Sequence, residues 1–294
     1  MPESEAAKKW TVIELINWTT EYLKEKDFDN SRLQVERLLG HTFGFDRVKL
    51  YLNFDRPLMP DELAKFKSLL KRRLNHEPLQ YIIGESEFMS LPFRVAPGVL
   101  IPRPETEILV EKCMEYIKQC FPDQQVKILD IGTGCGNIAV SLAKYLENAI
   151  VTAIDISQKA LNLAVENGRI NNVSERIDFK LFNIHDEIPE IFRHAFNVVV
   201  SNPPYIRQNE FALLVKEIRD FEPKEALLAG EDGLVFYQRI SNLLDYLFAE
   251  KSCAFFEIGE DMSGLTSKIF QCKNFKTTIF NDLSGKDRVV RVQR

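Results

Sequence analysis

The sequence predicts an α/β domain built on a seven-stranded, mainly parallel sheet, preceded by a small helical domain and a linking β-hairpin. Three observations predict this. From about residue 107 onward, short β-branched runs alternate with segments of helical periodicity, the pattern of a parallel sheet covered by helices on both faces. Residues 1–75 carry apolar side chains at helical spacing only. Residues 76–106 mix strand-prone residues with Gly84, Pro92, Pro97 and Gly98, which suggests a hairpin joining two domains.

In the helical part, Val12, Leu15, Ile16, Thr19 and Leu23 share one face of a first helix. Leu33, Val35, Leu38 and Leu39 share that of a second, with Asn30 and Ser31 as its candidate caps. A third begins at Pro60 and Asp61, residues suited to a first turn, carries Leu63, Phe66, Leu69, Leu70 and Leu74, and ends in Lys71, Arg72 and Arg73, whose charge favours a helix C-terminus. The alternation then opens with a helix over Ile108 to Cys120 and a buried strand VKILDI. A helix after Asn137, a strand AIVTAID and a helix from Ser157 follow. Strands near IDFKLF and at FNVVVSN, a helix after Gly233, a strand CAFFEIG and the pair KTTIF and RVVRV complete it. The short gap within the last pair suits an antiparallel hairpin at the sheet edge.

Composition narrows the function classes. The chain of 294 residues, 45% hydrophobic, is long enough for one large α/β domain and a smaller companion, which excludes a disordered or fibrous protein. With 38 basic against 43 acidic side chains the net charge is -5, so the footprint of a dedicated nucleic-acid binder is absent and no direct nucleic-acid binding is expected. Five cysteines, odd in number and scattered, contain no C-x-x-C pair, as a reducing compartment would leave them. The four histidines lack metal-ligand spacing, and no metal is expected. Trp10 and Trp18 sit among Lys and Glu with no apolar run of signal-peptide or membrane-span length, so a soluble cytoplasmic protein is expected.

Two segments carry chemistry. Asp130-Ile131-Gly132-Thr133-Gly134-Cys135-Gly136 follows the first strand of the alternation and opens a helix, the edge at which open sheets bind ligands. Its glycines let the backbone turn sharply and approach a ligand closely. The next strand ends in Asp155, about 20 positions on, where a carboxylate can accept both hydroxyls of a ribose. A tight βα connection accounts for the glycines alone but not for Asp155. The spacing G-x-G-x-G departs from the dinucleotide pattern G-x-G-x-x-G, whose helix N-terminus holds a pyrophosphate. It resembles the first motif of the S-adenosylmethionine methyltransferases, a Rossmann-like class. That resemblance implies Asp155 at the ribose, Gly132, Thr133, Gly134, Cys135 and Gly136 at the methionine part, and Asn183 or Ile184 beside the adenine, with Cys135 contributing backbone rather than thiol.

The second segment, Ser201-Asn202-Pro203-Pro204-Tyr205, follows Val198-Val199-Val200 at the carboxyl end of the fourth strand. Two prolines stop the strand and stiffen the turn, but a mere exit loop leaves Asn202 and Tyr205 unexplained. The segment matches the NPPY motif of methyltransferases acting on planar nitrogens. A carboxamide nitrogen is a poor nucleophile because its lone pair is delocalised into the carbonyl. The resemblance implies that the Asn202 side-chain oxygen and the Pro203 carbonyl fix the NH2 group by accepting its hydrogen bonds. Tyr205 then packs on the planar group, beside Pro204. Orientation in a dry site supplies the acceleration without a strong base.

Further stretches are Pro78-Leu79-Gln80-Tyr81-Ile82-Ile83-Gly84, Val99 to Glu107 (VLIPRPETE), Phe221-Glu222-Pro223 with Ala226-Leu227, and Gly285 to Val290 (GKDRVV). With NPPY and the helical N-terminal part, they resemble one family over nearly the whole chain, the N5-glutamine methyltransferases of peptide chain release factors (PrmC/HemK). The family implies a role in translation termination. Its donor is S-adenosyl-L-methionine, leaving S-adenosyl-L-homocysteine, and its substrate is the glutamine of a Gly-Gly-Gln loop. It further implies Arg103, Glu105 and Thr106 as polar members of the substrate cleft and the N-terminal domain as the contact to the release factor. A salt-bridged hinge between domains is the alternative reading for those three. Two departures stand out. Ile184 occupies a place where an aromatic residue would stack on adenine, and Glu257-Ile258-Gly259-Glu260 lacks the glutamine expected after its glycine. Methylation of adenine N6 in nucleic acid also suits NPPY but needs a flipped base and a grip on phosphates, against which the net charge argues. A non-catalytic cofactor-binding protein is the other alternative, and intact Asn202 and Asp155 count against it.

Overall fold

The computed structural model describes residues 9–294, which divide into two units at Ile83 and Gly84. The first unit contains α1 (Val12–Lys24), α2 (Ser31–Phe43), α3 (Arg47–Leu52), α4 (Pro60–Leu74) and α5 (Leu79–Ile83). Helix α1 starts on a capping box: the Glu14 N–H donates to the Thr11 hydroxyl and Glu14 accepts from the Thr11 N–H. Its apolar stripe of Val12, Leu15, Ile16 and Leu23 meets Val35, Leu38 and Leu39 of α2 and Phe66, Leu69 and Leu70 of α4 in one core.

Three local outcomes differ from the sequence reading. Asn30 occupies the cap position of α2 in a left-handed conformation without a side-chain cap, while the Ser31 hydroxyl donates back to the Phe28 carbonyl at 2.5 Å. The short α3 is not visible as periodicity. It is tied to α2 through buried Glu36, whose carboxylate accepts from Arg32, Arg47 and Tyr51 at 2.9, 2.9 and 2.8 Å. The segment LQYII forms helix α5 rather than strand, because one turn after Pro78 suffices to bury Leu79, Ile82 and Ile83 in the helical core.

The second unit begins with the hairpin β1 (Glu85–Phe88) and β2 (Leu91–Arg94). Its turn residues Met89 and Ser90 have φ of 51° and 56°, a conformation usually left to Asn and Gly. Tertiary bonds hold it there: the Met89 N–H donates to Glu107 at 2.6 Å and its carbonyl accepts from the Tyr145 hydroxyl at 2.5 Å. The hairpin is therefore an integral part of the larger unit and not a free linker.

The helices and strands that follow are α6 (Thr106–Cys120), β3 (Val126–Ile131), α7 (Asn137–Tyr145), β4 (Ala149–Asp155), α8 (Gln158–Ile170), β5 (Ile177–Leu181), β6 (Phe196–Ser201), α9 (Lys216–Phe221), α10 (Val235–Ser241), α11 (Leu244–Leu247), β7 (Phe248–Glu257), α12 (Ser263–Gln271), β8 (Lys276–Asn281) and β9 (Asp287–Gln293). Seven strands form one sheet in the order β5-β4-β3-β6-β7-β9-β8. Strands β3 to β7 are parallel, and β9 and β8 run antiparallel at the edge. Alternate residues enter opposite cores: Ile128, Val198, Val200 and Phe255 one, Leu129, Val199 and Phe256 the other. Helix α12, unforeseen in the sequence, buries only Thr266 and Phe270 in nine residues, too few for a visible stripe.

The chain runs outward from β3 through β4 to β5 and then returns to place β6 on the other side of β3. The gap between the ends of β3 and β6 is the switch point at which such sheets bind ligands. One side chain organises the backbone beside it. Asn167 of α8 is fully buried, its oxygen accepting from the Arg94 N–H at 2.7 Å and its NH2 donating to the carbonyls of Arg94 and Cys135 at 3.0 and 2.8 Å. It joins hairpin, helix and glycine loop. Asn167→Ala strands those backbone groups away from water and is expected to cost about 2–4 kcal/mol. Chemical unfolding of the full chain measures it, and a loss below about 0.5 kcal/mol, the range of a neutral surface change, refutes the assignment.

Candidate active site

The strand registers align the site. Ile131 pairs with Ile154 on one side and with Ser201 on the other, and Ser201 pairs with Phe256. The next residue of each strand path is therefore Gly132, Asp155, Asn202 or Glu257, in one row along the carboxyl edge. Buried Ser201 fastens the row where β3 and β6 part, its hydroxyl donating to the Ile131 carbonyl at 2.6 Å.

Above this row lies a cavity of about 570 Å³. Gly132, Thr133, Gly134 and Cys135 form one wall, Asp155 and Ile156 a second, and Phe182, Asn183, Ile184, His185 and Phe236 the end beside β5. Asn202, Pro203 and Pro204 border it from β6, and Val99 to Arg103 with Thr106 from the loop before α6. Gly136 is outside the lining: it has φ of 84°, and a β-carbon there would lie 3.0 Å from that of Ala164, so its smallness lets α7 and α8 pack.

Asp155 is held from behind. Its two oxygens accept from the N–H groups of Gly134 and Ser157, each at 2.8 Å, which fixes the carboxylate and leaves each oxygen a further lone pair for a vicinal diol. Burial nevertheless raises its pKa, partly offset by those bonds. Cys135 is buried, its thiol pushed up to about 12, so it presents backbone and no nucleophile. Asn183 closes a turn by accepting from the His185 N–H at 3.0 Å. Ile184 is buried, and its carbonyl accepts from Arg239 of α10 at 2.8 Å. The aromatic surface missing at residue 184 is present in Phe182 and Phe236 on the same cavity. The first is two residues upstream in sequence, whereas the second comes from a distant helix.

The residues assigned to the substrate cleft separate. Arg103 lines the cavity but donates to Glu222 at 2.6 Å, and Glu222 is buried with its other oxygen unpartnered. This ion pair lies wholly within the larger unit, so it is not a hinge between the two. Glu105 is exposed at the start of α6 and does not line the cavity. Thr106 is 1% exposed and bonded to protein on two sides: it donates to Glu257 at 2.6 Å and accepts from the Asn202 NH2 at 3.1 Å. Tyr205, half-buried and outside the lining, donates to the other oxygen of Glu257 at 3.5 Å. Glu257 is buried, and its pKa is raised to about 7 chiefly by desolvation. Sequence reasoning missed Glu257 and Glu222. The available signal for Glu257 was a lone carboxylate closing the apolar run CAFFE.

Among the described residues no group of three or more His, Cys, Asp or Glu is arranged to hold a metal, and no helix is long and apolar enough to cross a membrane. A parallel sheet with its edge hairpin carries a glycine loop, the Asp155 carboxylate and the Asn202-Pro203-Pro204 turn onto one cavity, the architecture of a methyltransferase whose methyl donor is S-adenosylmethionine. Residues 14–84 match the family model of the PrmC N-terminal domain and residues 106–222 that of the methyltransferase small domain. The chain is 38% identical over 291 residues to the release factor glutamine methyltransferase of Geobacter sulfurreducens, covering 98% of each, and 35% identical over 298 residues to that of Rhodopirellula baltica, covering 100% of each. A solved methyltransferase from Pyrococcus furiosus shares the fold at a TM-score of 0.50 and 13% identity, covering 77% of this chain and 98% of that one. The chain belongs to the release factor glutamine methyltransferase family.

One buried group beneath the loop makes stability depend on pH. Asp130 accepts from the Thr133 hydroxyl at 2.7 Å, and burial raises its pKa from 3.8 to about 7. The folded state thus holds this proton more tightly than the unfolded chain, and that contribution is lost as pH rises from the unfolded value through the folded one. Asp130→Asn keeps an acceptor for Thr133 and does not titrate. Its stability relative to the parent should increase by about 4 kcal/mol between about pH 4 and pH 8. Denaturant titrations across that range test it, and a difference that does not vary with pH overturns it.

Proposed function

We propose that the protein transfers the methyl group of S-adenosyl-L-methionine to the side-chain amide nitrogen, N5, of the glutamine in the Gly-Gly-Gln loop of a peptide chain release factor, releasing S-adenosyl-L-homocysteine. The observation that carries this reading is the state of Asn202. Its NH2 is committed to Thr106, and among the described residues its oxygen accepts no hydrogen bond, leaving an acceptor at the cavity edge in the same row as Asp155. The family membership supports the substrate class, and relatives matched over the whole chain carry that name.

The residues fit the donor: an apolar cavity of about 570 Å³ joins an acceptor pair at Asp155 to the aromatic end at Phe182 and Phe236. When bound, S-adenosylmethionine supplies an electrophilic methyl on a positively charged sulfur. Asp155 holds the ribose hydroxyls, the backbone from Gly132 to Cys135 faces the amino-acid tail, and Asn183, Ile184 and Phe182 border the adenine. Asn202 through its side-chain oxygen and Pro203 through its carbonyl accept the two N–H bonds of the substrate amide and turn the nitrogen toward the methyl. The sulfur–methyl bond would break as the nitrogen–carbon bond forms, its electron pair staying on sulfur, and the surplus proton of the methylated amide, by then strongly acidic, would pass to water. Rate enhancement therefore comes from orientation and exclusion of solvent, with no appointed base. Arg103, paired with Glu222, holds the wall of the cleft. The first unit contacts the body of the release factor, with exposed Trp18 and Met59 as available apolar surface. The free cysteines agree with action in the cytoplasm.

Incubation with labelled donor and a purified release factor is expected to label the factor, and changing its loop glutamine to alanine should abolish labelling. Equal labelling of the altered factor, or transfer only to DNA, refutes the reading. Asn202→Ala should lower kcat by about 100-fold, the scale of one lost orienting group, while calorimetry shows donor affinity nearly unchanged. Loss of donor binding would remove Asn202 from its substrate role.

A further inference from the structure

We infer that Thr106 and Glu257 are positioning residues: the buried Glu257 carboxylate, acting through the Thr106 hydroxyl, sets which way round the Asn202 carboxamide stands and so keeps its oxygen available to the substrate. This deepens the glutamine-amide reading and rests on it.

The argument is one of hydrogen-bond direction. A carboxylate only accepts, a hydroxyl has a single proton to give, and a carboxamide presents a donor on one side and an acceptor on the other. Thr106 Oγ1 lies 2.6 Å from Glu257 Oε2 and 3.1 Å from Asn202 Nδ2. While Glu257 is ionised, the Thr106 proton must go to it, so Thr106 can only accept on its other side. The Asn202 group facing Thr106 is then necessarily NH2, and Oδ1 is left for the cavity. The direction of the chain follows from the charge at its far end.

Protonation of Glu257 removes that constraint. A carboxylic acid can donate to Thr106, Thr106 then donates onward, and Asn202 satisfies it by turning its oxygen inward and its NH2 to the substrate, where two donors face each other. A substrate amide that needs acceptors is then refused. The groups facing Glu257 are the Thr106 hydroxyl of α6 and Glu105 at its N-cap, Tyr205 from the turn after β6, and Arg288 from β9, which is paired with Asp282 at 3.1 Å. The Tyr237 hydroxyl of α10 donates to the main-chain carbonyl of Glu257 at 2.7 Å. Arg288 and the two hydroxyls favour the ionised form; burial and Glu105 oppose it, and the balance raises the group to about 7.

The test uses the full-length protein, labelled donor and a release factor, and follows kcat, KM and the pH profile of kcat/KM. Thr106→Val, matched in shape but without the hydroxyl, is expected to lower kcat at least about tenfold, the scale of a lost orienting hydrogen bond. Donor affinity should stay close to the parent while the thermal midpoint falls, because a buried Glu257 oxygen loses its donor, and Thr106→Ser should recover most of the rate and of the midpoint. The parent should show an acid limb near pH 7, which Glu257→Gln, lacking a titrating proton, should lose. The inference falls if Thr106→Val keeps kcat within about twofold, if Ser at 106 is as damaging as Val, or if the acid limb survives Glu257→Gln. A parent protein that leaves the release factor unlabelled overturns the substrate reading and this inference together. A parent that labels beside an unaffected Thr106→Val overturns the inference alone.

Discussion

The site depends on parallel strands pairing in register at their carboxyl ends. Because Ile131 lies opposite both Ile154 and Ser201, and Ser201 opposite Phe256, four strand paths leave the sheet at the same level. The Gly132 turn, the Asp155 carboxylate, the Asn202 carboxamide and buried Glu257 thereby fall in a row from residues as distant in sequence as 132 and 257. A slip of one residue would reverse the face of every side chain on the displaced strand. The Ser201 hydroxyl on the Ile131 carbonyl fastens the register where β3 and β6 part, above the apolar residues that both strands place in the two cores. The irregularity in the β6 and β7 pairing occurs at the opposite end, between Phe196 and Val198, where no site residue depends on it.

Much of this was legible in the sequence, for reasons that particular residues make plain. Strands β3 and β4 were readable because strands buried on both faces are predominantly apolar, the buried Asp130 of β3 being the exception. Gly132, Asp155 and Asn202 were readable because each follows such a run directly. What escaped was fixed by distant partners. LQYII reads as strand by propensity, yet one helical turn buries its apolar groups against α2 and α4. Asn167, a polar residue inside a helix, gives no local sign that it will bond to Arg94 and Cys135. Arg103 and Thr106 were read as cleft residues from the IPRPETE stretch, but their geometry depends on Glu222 and Glu257, more than a hundred positions away.

The polar groups beneath the cavity offer a way for the proposed site, which appoints no base, to be selective. Three carboxyls, Asp130, Glu222 and Glu257, are buried around an otherwise apolar cavity, and burial raises the pKa of each. Such groups weaken the fold relative to apolar replacements, so their presence calls for a role that apolar residues cannot fill. Each is bonded to a segment that borders the cavity: Asp130 to Thr133 of the glycine loop, Glu222 to Arg103, Glu257 to Thr106 and Tyr205. On the proposed reading they act on the segments that line the cavity and do not enter it themselves.

This division of labour follows from the chemistry of an amide nucleophile. A strong base near the nitrogen would gain little, because the unmethylated amide is far too weak an acid to be deprotonated, and once methylated it sheds its proton unaided. Catalysis then rests on holding two N–H bonds in place, and acceptors serve that purpose only if their direction is unambiguous. On the proposed reading, backbone supplies one such acceptor at Pro203, where a proline ring limits the conformations of the carbonyl's own peptide chain. The other, a side-chain amide, is ambiguous by construction, since rotation by half a turn exchanges oxygen for NH2 at almost no steric cost. A neutral partner would leave both orientations accessible. An acceptor-only partner does not, and the buried carboxylate of Glu257, relayed by a hydroxyl with one proton to give, is such a partner.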